Sequence, residues 1–316
     1  MSKTSKHNEL TLCPLFFNWD ADTRKDFYYK IADESLFDTV YIGEVVCSKR
    51  EPFYASVMPS VCERLKASGK TVVFSTLALV SSEAELSRIK ELIDYCAEHN
   101  ILIEANDVAC LQALKGKAKH IIGPFINVFN ESTLDFLVKN GASRIVFPSE
   151  IPFSSIKTLA SKAKNTELEV LVFGKSPLAI AARCYHARAF GIKKHECKII
   201  CASDSEGLCA SSLDNQELFS VNGTQTLSYG YTVLLNELPL LQKAGVTGFR
   251  LSPQAVDMPA VCSIYRDVLD AKTTASEAMA KLKEITKNTP YINGFFHGIS
   301  GMAWKAIHNS QCTIHN

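Results

Sequence analysis

The chain has 316 residues, 47% of them hydrophobic, and its 34 basic and 33 acidic side chains leave a net charge of +1. Such a chain buries a large core, in one barrel-sized domain or two smaller ones, and its balanced charge gives no support to nucleic acid as a partner. No apolar leader segment follows the first residues, and no run approaches roughly 18 apolar residues. We therefore expect a cytoplasmic protein without a membrane span.

Short apolar or β-branched runs alternate with amphipathic stretches along the chain. Eight such runs are typical of a (β/α)8 TIM-barrel-like fold, whose parallel strands are buried on both sides. A doubly wound open sheet is the alternative, although neither G-x-G-x-x-G after the first strand nor G-x-x-x-x-G-K-[ST] is present. The predicted strands are 11–17, 39–46, 71–77, 101–105, 120–125, 144–148, 168–173 and 247–251.

Three helices carry clear local signals. The first, over 81–98, has an apolar face and a capping box formed by Ser82 and Glu85. Asp107 is expected to cap a helix over 108–115. The segment 275–285 is amphipathic, and we expect it to pack on its own barrel rather than on a partner.

The alternation of strands and helices breaks between about 192 and 230. Turn-rich segments there predict an inserted loop and a β-hairpin that pairs 217–221 with 224–228. Counted from its first cysteine, this cysteine-rich insertion spans about 184–230. We interpret residues 1–316 as a single barrel domain whose tail, about 306–316, is flexible. The apolar, glycine-rich run 292–304 either covers the barrel or contacts a lipid-like tail of the substrate.

Four of the eleven cysteines stand out by their spacing: Cys47 alone, then Cys184, Cys197 and Cys201 as C-x12-C-x3-C. Four thiolates form a complete coordination shell for zinc, a 2Fe-2S cluster or a 4Fe-4S cluster. Structural zinc sites usually have two short knuckles and this set has at most one, so the spacing favours a cluster held in a cleft. An odd cysteine count in a reducing cytosol argues against a disulfide framework.

The remaining cysteines give no such pattern. Cys62, Cys96, Cys110 and Cys262 lie in segments of helical period beside apolar neighbours, so we expect them to pack in the core. No role is predicted for Cys13, Cys209 or Cys312.

Several polar residues lie near the C-terminal ends of predicted strands, where a barrel carries its chemistry. Glu44 and Glu104 are candidates for general acid or base, with capping of the next element as an equal alternative. Arg183 and Arg188 flank Cys184, where they would stabilise cluster charge or bind an anionic substrate. His186 is expected to be an ordinary, partly buried histidine.

Seven segments, in order along the chain, resemble the U32 peptidase family. The combination of GE-x-VCSKR with the cysteine triplet is the most specific part of the likeness, which extends from about residue 10 to about 305. The segments are VYIGEVVCSKR (40–50), FSTLAL (74–79), LIEAND (102–107), PLAIAARC (177–184), ECKIIC (196–201), VNGTQTLS (221–228) and FRLSPQ (249–254).

The resemblance implies an oxygen-independent route to ubiquinone. In the members it resembles, two paralogous subunits form a heterodimer and each carries a 4Fe-4S cluster on four cysteines, which correspond here to Cys47, Cys184, Cys197 and Cys201. The implied reaction is ring hydroxylation of a prenylated aromatic precursor. RNA-hydroxylating relatives further imply a small anionic hydroxyl donor such as prephenate. No catalytic residue is assigned.

Three alternatives remain open. In the first, the chain is a non-catalytic partner that serves electron relay or a structural role while the other subunit does the chemistry. In the second it is a peptidase, and in the third it is an RNA-hydroxylating protein. Peptidase activity is not expected. The wider family carries the pattern E-x-F-x-H-G-A-x-C, of which this chain keeps only Glu169 and Gly174, and Pro177 stands in place of the cysteine. An RNA-modifying protein would call for a basic face that the composition does not suggest.

Overall fold

Eight short parallel strands close into a barrel in the computed structural model, which describes residues 8–117, 119–287 and 289–306. Each strand pairs in parallel with the one that precedes it in the ring, and the last pairs with both the seventh and the first. The predicted (β/α)8 barrel is therefore confirmed over the open-sheet alternative. The barrel strands are β1 (Glu9–Leu12), β2 (Thr39–Ile42), β3 (Thr71–Ser75), β4 (Leu102–Ala105), β5 (His120–Ile122), β6 (Ala142–Val146), β7 (Glu167–Ile180) and, after three further strands, β11 (Gly248–Leu251).

Helices surround the barrel and bury one apolar face each. In the third, Ile89, Ile93 and Cys96 are buried at helical spacing. The helices are α1 (Ala21–Glu34), α2 (Met58–Ala67), α3 (Glu83–Glu98), α4 (Val108–Leu114), α5 (Glu131–Lys139), α6 (Phe153–Lys162), α7 (Tyr185–Ala189), α8 (Leu238–Ala244), α9 (Met258–Leu269) and α10 (Ala275–Thr286).

The helix signals are confirmed with one correction. Ser82 caps α3 by accepting the Glu85 N–H at 3.3 Å, but the Glu85 carboxylate turns to the N–H of Ser81, so the predicted capping box is only half formed. Asp107 caps α4 through the Ala109 N–H at 2.7 Å. The segment predicted at 275–285 is α10, whose apolar face lies buried in the chain's own core.

Five predicted strands are too long at their C-terminal ends. Those predicted at 71–77, 120–125 and 144–148 end at Ser75, Ile122 and Val146, and the largest differences are in the first two strands. The strand predicted at 11–17 ends at Leu12, and the following residues cross the barrel mouth as buried irregular chain. The strand predicted at 39–46 ends at Ile42, because Gly43 has φ +121°. A Cβ at Gly43 would lie 2.5 Å from the carbonyl oxygen of Ser75, so only glycine fits this turn.

The inserted segment forms an antiparallel extension, which we call the arm and define as residues 174–233. The second half of β7 leaves the barrel and pairs with β10 (Gln225–Val233), which continues to β9 (Glu217–Asn222) and β8 (Leu208–Ser211). The predicted hairpin is thus confirmed, with Asn222 paired to Gln225. The strand β8 was not predicted.

Glycine is needed where β7 turns from barrel to arm. Gly174 has φ +102°, and a Cβ there would lie 2.8 Å from the Cβ of Ser252 and 2.9 Å from the amide nitrogen of Gln254. No other residue type fits this bend without displacing the neighbouring loop.

The barrel interior contains a network of charges centred on Glu169, which is fully buried. One carboxylate oxygen accepts from Arg250 Nη1 at 2.8 Å, and the other accepts from Tyr41 Oη at 2.8 Å and Arg144 Nη1 at 3.1 Å. Burial raises the pKa of Glu169, but the two guanidinium groups outweigh that effect and hold it below its usual value. Arg250 Nη2 also lies 2.8 Å from a carboxylate oxygen of Glu104.

The C-terminal run returns to the barrel wall. A short strand, β12 (Tyr291–Ile292), pairs with β10, and Phe296 is buried with its ring stacked on Phe153 at 5.1 Å. The first part of the run, residues 292–296, therefore covers the barrel, whereas Ile299, Met302 and Trp304 farther along are exposed. The tail predicted to be flexible lies outside the described residues from 307 onward, so that prediction stays untested.

No helix in the described part of the chain is long and apolar enough to cross a membrane.

Candidate functional site

The loop after β2 presents Cys47 at the mouth of the barrel. A carboxylate oxygen of Glu44 accepts the N–H groups of Val46 and Cys47, both at 2.9 Å, and the other oxygen accepts Tyr54 Oη at 2.9 Å. Glu44 thus shapes the loop, as the capping interpretation predicts. The Cys47 side chain is partly buried.

The arm presents the other three cysteines. Cys184 caps α7, where its sulfur accepts the Ala187 N–H at 3.4 Å. Between Cys197 and Cys201, Lys198 and Ile199 have φ +45° and +57°. This conformation is uncommon for a β-branched residue and is tolerated here in a tight turn.

Cys197 has right-handed and Lys198 left-handed φ values. Successive residues of opposite hand direct their backbone N–H groups toward a common point, an arrangement that binds anions and occurs at iron-sulfur sites. The turn therefore suits a negatively charged group next to Cys197.

Arg50 and Asn222 join the two cysteine-bearing segments. Arg50 is 1% exposed and donates to the carbonyl oxygen of Phe16 at 2.9 Å and to both Asn222 oxygens at 2.8 Å. Asn222 donates in turn to the carbonyl oxygen of Cys201 at 3.0 Å. The side-chain amide of Asn18 donates to Cys201 Sγ at 3.4 Å. The loop after β2, the chain after β1 and the arm thus meet at one point.

Further contacts hold the Cys47 loop against the arm. Lys49 Nζ donates to the carbonyl oxygen of Lys194 at 2.8 Å, and Thr224 Oγ1 donates to that of Val46 at 2.8 Å. These bonds span the gap between residues far apart in sequence and fix the Cys47 loop beside the segment that carries Cys197.

The thiol pKa values reflect this convergence. Burial raises the pKa of Cys184, the Ala187 N–H lowers it, and the neighbouring thiols of Cys201 and Cys197 raise it further. Burial likewise raises the pKa of Cys47, partly offset by a backbone N–H and by the charge of Arg50. The charge of Arg50 acts on both Cys184 and Cys47, which lie on different segments.

The four predicted ligand residues are free thiols on two segments that contact each other, the loop after β2 and the arm. Within the described ranges, no three His, Cys, Asp or Glu side chains form a group that would hold a metal ion. The donor set itself fits an iron-sulfur cluster, because thiolates are its usual ligands and the buried Arg50, whose Nε has no hydrogen-bond partner, offsets negative charge. The assignment of Cys47, Cys184, Cys197 and Cys201 as ligands stays a prediction.

The other candidates occupy less accessible or more distant positions. Glu104 is fully buried, accepting from Ser75 Oγ at 2.6 Å and facing Arg250, so it balances charge in the barrel. Arg183 and Arg188 are exposed. His186 is buried, with Nε2 at 2.9 Å from an Asp204 carboxylate oxygen.

The four cysteines predicted to pack in the core do so on α2, α3, α4 and α9. Burial raises the pKa of Cys96, Cys110 and Cys262 to about 12 in each case. Cys209 is exposed on the arm, and Cys312 lies outside the described residues.

The two residues kept from the U32 pattern have structural roles. Glu169 is the centre of the barrel network and Gly174 forms the bend of β7. Neither is available to a substrate in this arrangement.

Sequence reasoning missed Arg50, Asn18 and Asn222. Asn222 was interpreted only as part of a hairpin turn, and Arg50 only as part of a motif. Arg50 lies three residues after Cys47, which was the available signal, but Asn18 and Asn222 are distant from the predicted ligands in sequence and their contacts depend on the fold. A cavity of about 300 Å³ between α2 and α3 was also not predicted.

Comparisons with solved structures return several enzymes of low sequence identity. N-acetylneuraminate lyase from Mycoplasma synoviae is 10% identical, with a TM-score of 0.48 over 89% of this chain and 80% of that one. The tryptophan synthase complex from Pyrococcus furiosus is 10% identical, with a TM-score of 0.39 over 87% and 97%. The spore cortex-lytic enzyme SleL from Bacillus megaterium is 8% identical, with a TM-score of 0.41 over 79% and 71%. Because all three TM-scores are below 0.5, we draw no conclusion about this chain from these similarities.

The comparison with family models is more informative. The model of peptidase family U32 matches residues 22–306, from the second residue of α1 to the end of the described chain. This match includes β2 to β12 and all four predicted ligand cysteines. The chain belongs to peptidase family U32.

Proposed function

We propose that this chain is a UbiV-type member of its family, which carries a 4Fe-4S cluster and acts with a UbiU-like paralogue in oxygen-independent ubiquinone biosynthesis. The proposed reaction is ring hydroxylation of a prenylated aromatic precursor. One observation supports it above the others: the loop that carries Cys47 is joined, through Arg50 and Asn222, to the arm that carries the other three cysteines. The choice of pathway and partner rests on the sequence resemblance.

Cys47, Cys184, Cys197 and Cys201 would hold the cluster, which when bound supplies one electron at a time. The chain's own residues prepare the site for negative charge. Arg50 brings a buried positive charge, and Asn18 donates a hydrogen bond to the sulfur of Cys201.

Apolar side chains limit the access of water to this region. Phe16, Val45 and Val46 are buried together, and Cys47 packs against them. Low local polarity strengthens the charge interactions of Arg50 with the thiolates. The same shell would shield a bound cluster from solvent and tune its redox potential.

The experiment is anaerobic purification of the full chain with its co-expressed paralogue, followed by quantification of iron and sulfide and an absorption spectrum. We expect about four irons and four sulfides per chain. Replacing Cys197 with serine lowers both sharply. The matched control is Cys209→Ser, an exposed arm cysteine outside the predicted set, which leaves both unchanged. Zinc without sulfide would contradict the proposal.

Catalytic and supporting roles are separated by Cys184→Ala in the same heterodimer, with ubiquinone formation measured in anaerobic cells. Loss of iron together with loss of hydroxylated product supports a catalytic role. Loss of iron with hydroxylation retained would assign the chemistry to the partner. Failure of the protein to accumulate identifies a cluster needed for folding, because metal-binding energy then contributes to folding energy.

A further inference from the structure

The ring of helices around the barrel has a gap beside the Cys47 loop. The helix α2 packs on α1 and α3 packs on α4, while a cavity of about 300 Å³ separates α2 from α3. Ligand pockets in proteins occupy roughly 300–1,000 Å³ and are mostly apolar. Apolar residues that line this cavity include Met58, Cys62, Phe74, Leu77, Ile89 and Leu92.

The inner end of the cavity reaches the loop that carries Cys47. Glu44 lines it, and the same carboxylate accepts the N–H of Cys47 at 2.9 Å. Tyr54, which also lines it, donates to Glu44 at 2.9 Å. A molecule in the cavity would therefore contact the group that fixes the Cys47 loop.

The outer end opens into a second space. Ser48, Glu85 and Arg88 line both the cavity and an open cleft of about 590 Å³. Cys197 and Lys198 also line that cleft. The two spaces thus share one boundary, and together they run from the Cys47 loop to the turn that carries Cys197.

The two spaces differ in charge. The cleft is lined by Lys49, Arg88 and Lys198 and by a single carboxylate, that of Glu85. Burial raises the pKa of Glu85, but hydrogen bonds from Ser48 Oγ and from Ser81 outweigh this effect and lower it, so Glu85 is ionised and already engaged. Basic side chains therefore outnumber acidic ones at the cleft, and the adjoining cavity is mainly apolar.

We propose that the cavity and the cleft form one binding site for a small amphiphilic acid. Its apolar chain lies between α2 and α3, and its anionic head group lies in the cleft near Arg88, with Cys197 alongside. The link between this site and ring hydroxylation rests on the proposed function, whereas the binding itself rests on the cavity, the cleft and their charges.

The apolar half is tested with dodecanoate and the full-length chain, by isothermal titration calorimetry under anaerobic conditions. We expect saturable binding to one site. Ala55 lines the cavity and is exposed, so Ala55→Trp fills the space without disturbing the core, and we expect it to weaken binding by more than about tenfold. Ser56 is also exposed but lines neither space, so Ser56→Trp is the matched control and binds as the wild type does.

The head-group half is tested by comparing dodecanoate with dodecanol. Arg88→Gln should weaken dodecanoate roughly three- to tenfold and leave dodecanol unchanged, because only the acid pairs with the guanidinium group. Lys90 is exposed on the same helix and lines neither space, so Lys90→Gln should change neither affinity. Thermal unfolding of each variant verifies that it is folded.

Absence of saturable dodecanoate binding, or binding that Ala55→Trp leaves intact, overturns the proposal. Dodecanol binding as tightly as dodecanoate overturns the head-group assignment. A geranylated 4-hydroxybenzoate then connects the site to the proposed function, since we expect it to compete with dodecanoate. If dodecanoate binds as described while Ala55→Trp leaves hydroxylation by the heterodimer unchanged, the binding site stands and its link to the reaction fails.

Discussion

The barrel interior and the arm satisfy their polar groups in opposite ways. Inside the barrel, Glu169 accepts from Arg250, Arg144 and Tyr41, so each charge is offset by a fixed neighbour. On the arm, Cys197 lies partly exposed beside residues in left-handed conformation, and its thiol is free. The comparison indicates that the barrel network stabilises a fixed frame, while the arm keeps groups available for a ligand.

The largest expected effect comes from disrupting the charge network inside the barrel. Glu169→Gln removes the negative charge between two buried guanidinium groups and should lower the free energy of unfolding by about 3–5 kcal/mol. Urea denaturation measures the change.

Glu167→Gln is the matched control. Glu167 pairs with the same Arg144 but is exposed, so its loss should cost about 0–1 kcal/mol. Equal effects of the two substitutions would contradict the role assigned to the buried network.

The next effect tests the junction between barrel and arm. Asn222→Ala removes the side-chain oxygen that accepts from buried Arg50 and the side-chain amide that donates to the carbonyl oxygen of Cys201. It should cost about 2 kcal/mol of unfolding free energy. It should also lower iron content, although no predicted ligand is changed. Gln216→Ala, an exposed arm residue, is the control for both measurements. Unchanged iron content in folded Asn222→Ala protein would argue against a role of this junction in holding the cluster.

A pH titration of stability sharpens the same comparison. The pKa of Glu169 is lowered in the folded protein, so its contribution is present above its unfolded value of about 4.3 and is lost as the pH falls toward the folded value. Burial raises the pKa of Glu9 in the folded protein, so the contribution of Glu9 to the unfolding free energy changes with pH in the opposite direction. Comparing wild type with Glu169→Gln isolates the first effect.

We therefore expect the unfolding free energy of the wild type to fall more steeply than that of Glu169→Gln between about pH 5 and pH 3. Denaturant titrations at each pH give the two slopes. Parallel curves would indicate that Glu169 is not the group whose ionisation stabilises the barrel.

The smallest effect lies at α3, which borders the cleft. Ser82→Ala removes the N-cap of this helix and should cost about 1 kcal/mol. Ser87→Ala, an exposed position inside the same helix, should cost less or be neutral. A greater loss for Ser87→Ala than for Ser82→Ala would show that the cap does not set the stability of α3.

Local patterns predicted the barrel well because its buried parallel strands form separate apolar runs. Patterns failed where long-range geometry decides the outcome. The strand predicted at 11–17 stops at Leu12, because the chain turns there across the barrel mouth. The strand β8 forms because β9 offers it a free edge for pairing. Neither cause is visible in the local sequence.

The candidate site was likewise predictable only in part. Spacing and count predict Cys47 and the arm triplet as a ligand set, and this prediction stays untested, whereas the contacts around these cysteines are visible only in the fold. The pairing of Arg50 with Asn222 was not predictable, since the two residues are 172 positions apart and meet only when the arm docks on the barrel. Likewise, Arg144 and Glu169 occur singly within strands, and only the barrel register brings them together.

The closure of the barrel also sets the order in which the protein matures during its synthesis. Glu9 pairs with Gly248, so the first strand lacks one neighbour until about 240 further residues have left the ribosome. At roughly 5–20 residues per second, that wait lasts on the order of 10 to 50 s. Cys47 is also without the arm cysteines at first, because these are translated some 140 to 150 residues later. The growing chain thus exposes an unpaired strand edge and a lone thiol together, and the proposed cluster on the four predicted ligands would be assembled only after Cys201 has been translated.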